Sequence, residues 1–289
     1  ITEALKNNLT PLRITFNAGD ESDELSLSVA GLFKRPRYGD TLKVWIGTDG
    51  KEAVYFGKFV VQTSERVDNN MLSITASSAN FKSLKTKRDE AYEKQTLSAI
   101  AATIATRNDL ALKSDLDAAI EYIAQSNESD AAFLKRLADT YDALFSVKNG
   151  TLVFRKKDKG DLPIYEVSAK NCKSLRVKYS DRTEYMSAII VKHDTQTNEQ
   201  VEFTLGEGEP ALRIKRDFAD ETEAIAKAAA ALQKANRGIV SGSLSIVHQP
   251  IFAGGVLRLR ETIGDDGDYT ITKAQHTLDN YETTIDFER

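Results

Sequence analysis

Gly39-Asp40-Thr41-Leu42-Lys43-Val44, Gly57-Lys58-Phe59-Val60-Val61 and Met71-Leu72-Ser73-Ile74 form a run that returns near the far end of the chain. There it reads Gly254-Gly255-Val256-Leu257-Arg258-Leu259, Gly267-Asp268-Tyr269-Thr270-Ile271 and Thr283-Thr284-Ile285-Asp286-Phe287. In each copy a glycine leads into the first strand, a glycine and an aromatic open the second, and the third alternates in character. One β unit stated twice is the mark of an internal repeat. Three such chains would present six similar modules, which suits an adaptor between threefold and sixfold objects.

Outward from the first copy, period-two alternation runs from Leu12 to about Ile74. Leu25, Leu27 and Val29 alternate with serines, and Leu42, Val44 and Ile46 continue the pattern. Asn17-Ala18-Gly19-Asp20, Tyr38-Gly39-Asp40, Thr48-Asp49-Gly50 and Asp68-Asn69-Asn70 supply turns. This predicts an antiparallel meander curled into a barrel, so that its edges close. Toward the second copy, Leu175-Val177-Tyr179, Ala188-Ile189-Ile190-Val191 and Val201-Phe203-Leu205 read as strands of a second β domain. Asp220-Glu221-Thr222-Glu223 then opens an alanine-rich helix to about Asn236, stopped by Gly238.

Between the copies the period changes. Leu97, Ile100, Ala101 and Ile104 fall on one helical stripe behind a Thr96 N-cap, and Asn108 supplies the stop. A second helix follows Ser126-Asn127-Glu128-Ser129, with Phe133, Leu134, Leu137, Tyr141 and Leu144 on its buried side. Asn149-Gly150 predicts a two-residue hairpin with Val147 facing Leu152 and Phe145 facing Phe154. The expected fold class is therefore α+β: two similar antiparallel β-barrel domains with an α/β insert between them. The boundaries are residues 1–88, 89–165 and 166–289.

Composition narrows the functional classes. The 289 residues carry a formal net charge of −4, with 41% hydrophobic and 28% charged residues. No apolar run approaches the roughly 20 residues of a membrane span, so no stable membrane insertion is expected. The acidic balance argues against a dedicated nucleic-acid binder. Lys85, Lys87 and Arg88 are followed at once by Asp89, Glu90 and Glu93, which reads as a solvated mixed-charge connector. The single cysteine, Cys172, excludes a disulfide-stapled scaffold and reads as a packed thiol, consistent with assembly in a reducing cytoplasm. His193, His248 and His276 lack metal-ligand spacing, and Asp265-Asp266-Gly267-Asp268 reads as a hairpin turn rather than a cation loop. No phosphate loop or nucleophile elbow is present. The expectation is a protein that is not an enzyme and takes no cofactor or metal. Asp20, Glu21, Asp23 and Glu24 read as a solvated turn or as a patch for a basic partner. With Arg35 and Arg37 they are the candidate partner-interface residues.

Gln95-Thr96-Leu97-Ser98-Ala99-Ile100-Ala101-Ala102-Thr103-Ile104-Ala105 and Gln125-Ser126-Asn127-Glu128-Ser129-Asp130-Ala131-Ala132-Phe133-Leu134-Lys135-Arg136-Leu137-Ala138 resemble the late control D family of contractile-tailed phages. They are also similar to the N-terminal hub region of type VI secretion spike proteins. The resemblance extends through Gly19-Asp20-Glu21-Ser22-Asp23, Arg37-Tyr38-Gly39-Asp40 and Gly57-Lys58-Phe59 to Gly254-Gly255 and His276-Thr277-Leu278, covering nearly the whole chain. It implies a tail baseplate hub, found in the virion after assembly in the host cytoplasm. It further implies a homotrimer whose two barrels per subunit make a pseudo-sixfold ring, joining the tail tube to the membrane-piercing spike. The implied partners are other copies of itself, the spike, the tube or tube-initiator protein, baseplate wedge proteins and the tape measure protein. The alternatives are the hub region of a secretion or toxin-injection spike and, from another class, a tail-borne cell-wall hydrolase.

Overall fold

The computed structural model describes residues 8–18, 21–47, 52–68, 70–78, 81–156, 162–180, 184–194, 199–236 and 239–289. The first β portion comprises β1 (Leu9–Asn17), β2 (Glu24–Ala30), β3 (Thr41–Ile46), β4 (Val54–Val67) and β5 (Met71–Ser77). After it come α1 (Phe81–Leu84), β6 (Lys87–Thr96), α2 (Leu97–Arg107), β7 (Ala111–Ser114), β8 (Ala119–Ser129), α3 (Asp130–Thr140), β9 (Ala143–Lys148) and β10 (Thr151–Lys156). The remainder comprises β11 (Ile164–Ser168), β12 (Cys172–Tyr179), β13 (Ser187–Asp194), β14 (Glu199–Gly206), β15 (Ala211–Lys215), α4 (Glu221–Asn236), β16 (Val240–Val247), β17 (Val256–Arg260), β18 (Gly267–Thr277) and β19 (Glu282–Glu288). The chain is mostly β with few helices, an α+β fold.

The two sequence copies share hydrogen-bond detail. The first portion has the strand order β1-β2-β5-β4-β3, and the last has β12-β16-β19-β18-β17. Thr41 to Val44 face Val60 to Gly57, and Val256 to Leu259 face Thr270 to Gly267, in the same register. The middle strand of each copy bulges at the same distance beyond its glycine, between Val61 and Thr63 and between Ile271 and Lys273. Gly39 donates its N–H to the Val61 carbonyl (3.0 Å), as Gly254 does to Ile271 (2.9 Å). Both glycines sit at positive φ, 90° and 87°, where a side chain would be strained.

Equivalent positions differ where packing demands it. Leu25 faces Ala76 in the first unit, whereas Gly242 faces Phe287 in the second, so the large and small partners have changed strands. A Cβ on Gly242 would stand 2.4 Å from the Phe287 ring and 2.4 Å from the Arg176 carbonyl oxygen. Only a glycine fits there.

Against the expectation of two closed barrels, the pairings among the described residues close neither unit. β1 instead pairs antiparallel with β18, Arg13 to Asn17 opposite Thr277 to Lys273, so both units lie in one eleven-stranded sheet. One core serves both, with Ile14, Leu25, Phe59 and Leu72 from the first unit and Leu244, Leu257, Ile271 and Phe287 from the second. Each such fully buried side chain contributes about 1.5–3 kcal/mol. Strand alternation specifies an inward face but not which sheet a strand joins.

The same ambiguity accounts for a second correction. β13, β14 and β15 do not extend the second β unit; they form a separate three-stranded sheet covered by α4. Its core holds Ala188 and Ile190 against Ala224 and Ala228, with Phe218 beside them. α4 starts as predicted, its Asp220 Oδ1 accepting from Glu223 N (2.8 Å) while Glu223 Oε2 accepts from Ala219 N (2.7 Å). The expected stop at Gly238 lies outside the described residues, as do Gly19, the Thr48-Asp49-Gly50 turn and Asn69.

In the middle segment both helices start where expected, but α3 ends at Thr140, so Leu144, expected on its buried side, lies on β9 instead. Thr96 Oγ1 accepts from Ala99 N (3.2 Å) to cap α2, and Ser129 Oγ caps α3 through Ala132 N (3.3 Å). The β9–β10 hairpin pairs Val147 with Leu152 and Phe145 with Phe154 as predicted. The mixed-charge stretch read as a connector is instead β6, which pairs with β8 from Lys87 opposite Ser129 to Thr96 opposite Ala119. Lys87, Asp89, Glu93 and Lys94 face solvent, while Tyr92 is buried and stacks on Phe133, ring centroids 5.4 Å apart. Asp130, fully buried at the start of α3, takes hydrogen bonds from Asn108 Nδ2 (2.9 Å) and Gln125 Nε2 (3.0 Å) beside Arg88 and Arg107.

Candidate functional site

Two sheet edges stand out once the repeat is aligned. β12 pairs on one side with β16, and among the described residues no strand covers its other side. β4 is covered by β3 from Val54 to Val60, but along residues 63–67 its outer side likewise has no strand partner among the described residues. Open edges present rows of backbone donors and acceptors, which makes them natural places for another chain to add.

The strands at these edges correspond to the two that join the units. β1 runs Leu12-Arg13-Ile14-Thr15-Phe16 and β12 runs Leu175-Arg176-Val177-Lys178-Tyr179. Leu12, Arg13 and Ile14 face Leu27, Ser26 and Leu25, while Leu175, Arg176 and Val177 face Leu244, Ser243 and Gly242. Leu12, Ile14 and Phe16 are buried, yet Leu175 and Val177 are half-buried and Tyr179 is 57% exposed. The likeness of these two strands is present in the sequence but lies outside the runs that mark the repeat.

The joint inside the chain is aromatic. Phe16 on β1, Phe56 on β4, Phe252 in the connection after β16, and His276 on β18 meet, with Phe16 and Phe252 centroids 5.0 Å apart and Phe56 and His276 4.9 Å apart. His276 is fully buried, its Nε2 against the Ile251 carbonyl (2.9 Å) and its Nδ1 against Thr283 Oγ1 (3.1 Å). The carbonyl accepts, which makes Nε2 the protonated nitrogen of a neutral ring. Burial, and secondarily the neighbouring His248, push the His276 pKa down to about 4. His248 also lies low because it is partly desolvated. Distant in sequence, the two rings stand 5.3 Å apart. Among the described residues, no three or more His, Cys, Asp or Glu side chains are grouped to hold a metal ion.

The sequence-predicted interface residues do not form one patch. Asp20 lies outside the described residues. Glu21 is exposed, and Glu24 is exposed on β2 opposite Thr15 and Ser77. Asp23 is withdrawn from any partner: it is 3% exposed and its carboxylate holds Lys148 of the hairpin while accepting from Asn17 N (3.1 Å). Burial raises its pKa, and Lys148 opposes that rise. Ser78 Oγ donates to the Val147 carbonyl (2.9 Å) and Lys58 N to Asn149 Oδ1 (2.9 Å), so the hairpin is tied to the first unit at three points. Arg35 and Arg37 are exposed, and Arg35 Nη1 donates to the Ser64 carbonyl (3.2 Å) on the open stretch of β4. One of the six, Arg35, thus adjoins that edge.

This architecture is that of phage tail proteins. The structure superposes with a TM-score of 0.69 on the 43 kDa tail protein of prophage MuSo2 from Shewanella oneidensis, at 16% identity over 96% of this chain and 92% of that one. It superposes with a TM-score of 0.62 on the E. coli c3393 protein, a component of the type VI secretion system, at 10% identity over 97% of this chain and 73% of that one. The probable baseplate hub protein of Escherichia phage 186 is 26% identical over the whole of this chain and 89% of its own length. Residues 72–282 match the family model of the phage tail baseplate hub (GPD), and the chain belongs to that family. It is a structural component of the tail baseplate and hence of the virion.

Proposed function

We propose that this hub works as a homotrimer whose two β units per chain make a pseudo-sixfold ring, joining the sixfold tail tube to the trimeric spike. The observation that carries the reading is the recurrence of one five-strand order, with the same register and the same bulge, at both ends of a chain of the hub family. Equal modules are what a threefold object needs to meet a sixfold one. The barrel character expected of residues 1–88 and 166–289 belongs to this reading, with closure supplied between chains, and residues 89–165 stand as the insert. The partners are the spike, the tube or tube initiator, wedge proteins and the tape measure protein, met during assembly in the host cytoplasm. The work is rigid symmetry matching without catalysis.

Three chains carry three times −4, or −12, which favours an acidic or neutral lumen that lets DNA pass. Light scattering on the purified chain tests the ring: about 96 kDa, three times 32.0 kDa, is expected. A monomer that binds no spike would refute it. A second reading, the hub region of a type VI secretion spike, draws on the likeness to the E. coli c3393 protein. A β-helical spike fused after Arg289 in the gene favours that reading, and a separate spike gene favours the phage. A clear lytic band in peptidoglycan zymography would instead support the hydrolase.

A further inference from the structure

We propose that the open side of β12 pairs antiparallel with residues 63–67 of β4 in a second copy of this chain. That pairing repeats between chains the contact β1 makes with β18 within one. The proposal rests on the ring reading and assigns its joint to named edges. β12 stands to β16 as β1 stands to β2, and β4 stands to β3 and β5 as β18 stands to β17 and β19. The chain therefore displays one complete joint and the two separated halves of another.

The internal joint sets the register. Arg13, Ile14, Thr15 and Phe16 oppose Thr277, His276, Gln275 and Ala274. Transferred through the repeat, Arg176, Val177, Lys178 and Tyr179 oppose Val67, Arg66, Glu65 and Ser64 of the neighbour. A neutral Thr15–Gln275 pair becomes Lys178 opposite Glu65, charges of opposite sign on two exposed side chains. Tyr179 opposite Ser64 keeps the large-against-small character of Phe16 opposite Ala274. The half-buried Leu175 and Val177 gain the cover that Leu12 and Ile14 already have.

The route to the edge follows the same plan. Arg66 Nη2 donates to the Phe33 carbonyl (2.7 Å) in the connection after β2, as His276 Nε2 does to Ile251 in the connection after β16. That connection does not keep β1 from β18, so its counterpart leaves β4 accessible. Arg35, exposed and long, has only to release the Ser64 carbonyl. Lys173, Arg176 and Lys178 make β12 basic and oppose its pairing with a second β12, which selects the unlike edge. Unlike edges give a head-to-tail contact that closes on itself when the rotation suits.

The test uses the full chain with Cys172→Ser, Glu65→Cys and Lys178→Cys under mild oxidation. A covalent ladder ending at the trimer is expected for the double-cysteine chain, with neither single-cysteine chain giving it. A trimer by light scattering that never cross-links overturns the edge pairing while the ring stands. A monomer that never cross-links and binds no spike overturns both. Charge reversal supplies an independent readout: Lys178→Glu or Glu65→Lys alone should weaken association about threefold to tenfold, and the double reversal should restore it. Single reversals without effect, or a double reversal no better than either, count against the pairing.

Discussion

Acid should loosen this protein through one histidine. His276 is held neutral in the joint between the two units, its pKa near 4 against the ordinary 6.5, chiefly because burial disfavours the imidazolium. The unfolded chain therefore binds this proton more readily than the folded one, and stability rises with pH between those two values. The contribution is fully present above about pH 6.5, shrinks as pH falls toward 4, and changes no further below that. The whole interval is worth about 3 kcal/mol. His276→Gln removes the titration while keeping a donor able to reach the Ile251 carbonyl. It should cost roughly 1–2 kcal/mol at neutral pH, where the histidine's contacts are intact. Urea unfolding of both proteins from about pH 7.5 down to about pH 4.5 should show the gap between them closing by about 2 kcal/mol or reversing. Parallel stability curves across that range would refute the assignment of the acid sensitivity to His276.

Gly242→Ala puts a methyl group against the Phe287 ring and the Arg176 carbonyl, and should destabilise by roughly 2–4 kcal/mol in chemical unfolding, with β12 the first strand to lose amide protection. Lys148→Met leaves the buried Asp23 carboxylate without its cation and should cost about 3–5 kcal/mol, whereas adding Asp23→Leu should recover part of that loss in a double-mutant cycle. Asn149→Ala removes the acceptor for Lys58 N and places alanine at a φ of 51°, so thermal unfolding should show a loss of roughly 1–2 kcal/mol.

Local chemistry was the readable part of this sequence. The Thr96 cap, the Phe133-Leu134-Leu137 stripe, the Asn149-Gly150 register and the Asp220 helix start each depend on neighbours within a few residues, and each stands as expected. The repeat was legible in part because Gly39 and Gly254 meet the same backbone need at positive φ. Partner choice between distant strands was not legible, since Ala188 and Ile190 carry the same alternation whether they face α4 or the main sheet. β6 was lost for a related reason: a ribbon exposed on one side needs few apolar residues, and Tyr92 alone marks its inward face. Of the candidate interface, the cluster from Asp20 to Glu24 looked uniformly solvated, and nothing near Asp23 announces a lysine from the hairpin beyond α3. Arg35 lies at an open edge for a reason visible only once the strands are paired.

The exchanged sizes at Leu25–Ala76 and Gly242–Phe287 constrain how the gene can change. Recombination that copied the second strand of one half over the other would set leucine against Phe287, or glycine against Ala76, overfilling the shared core at one place or hollowing it at the other. The halves, alike in backbone, are therefore barred from exchanging segments piecemeal and must diverge as matched strand pairs.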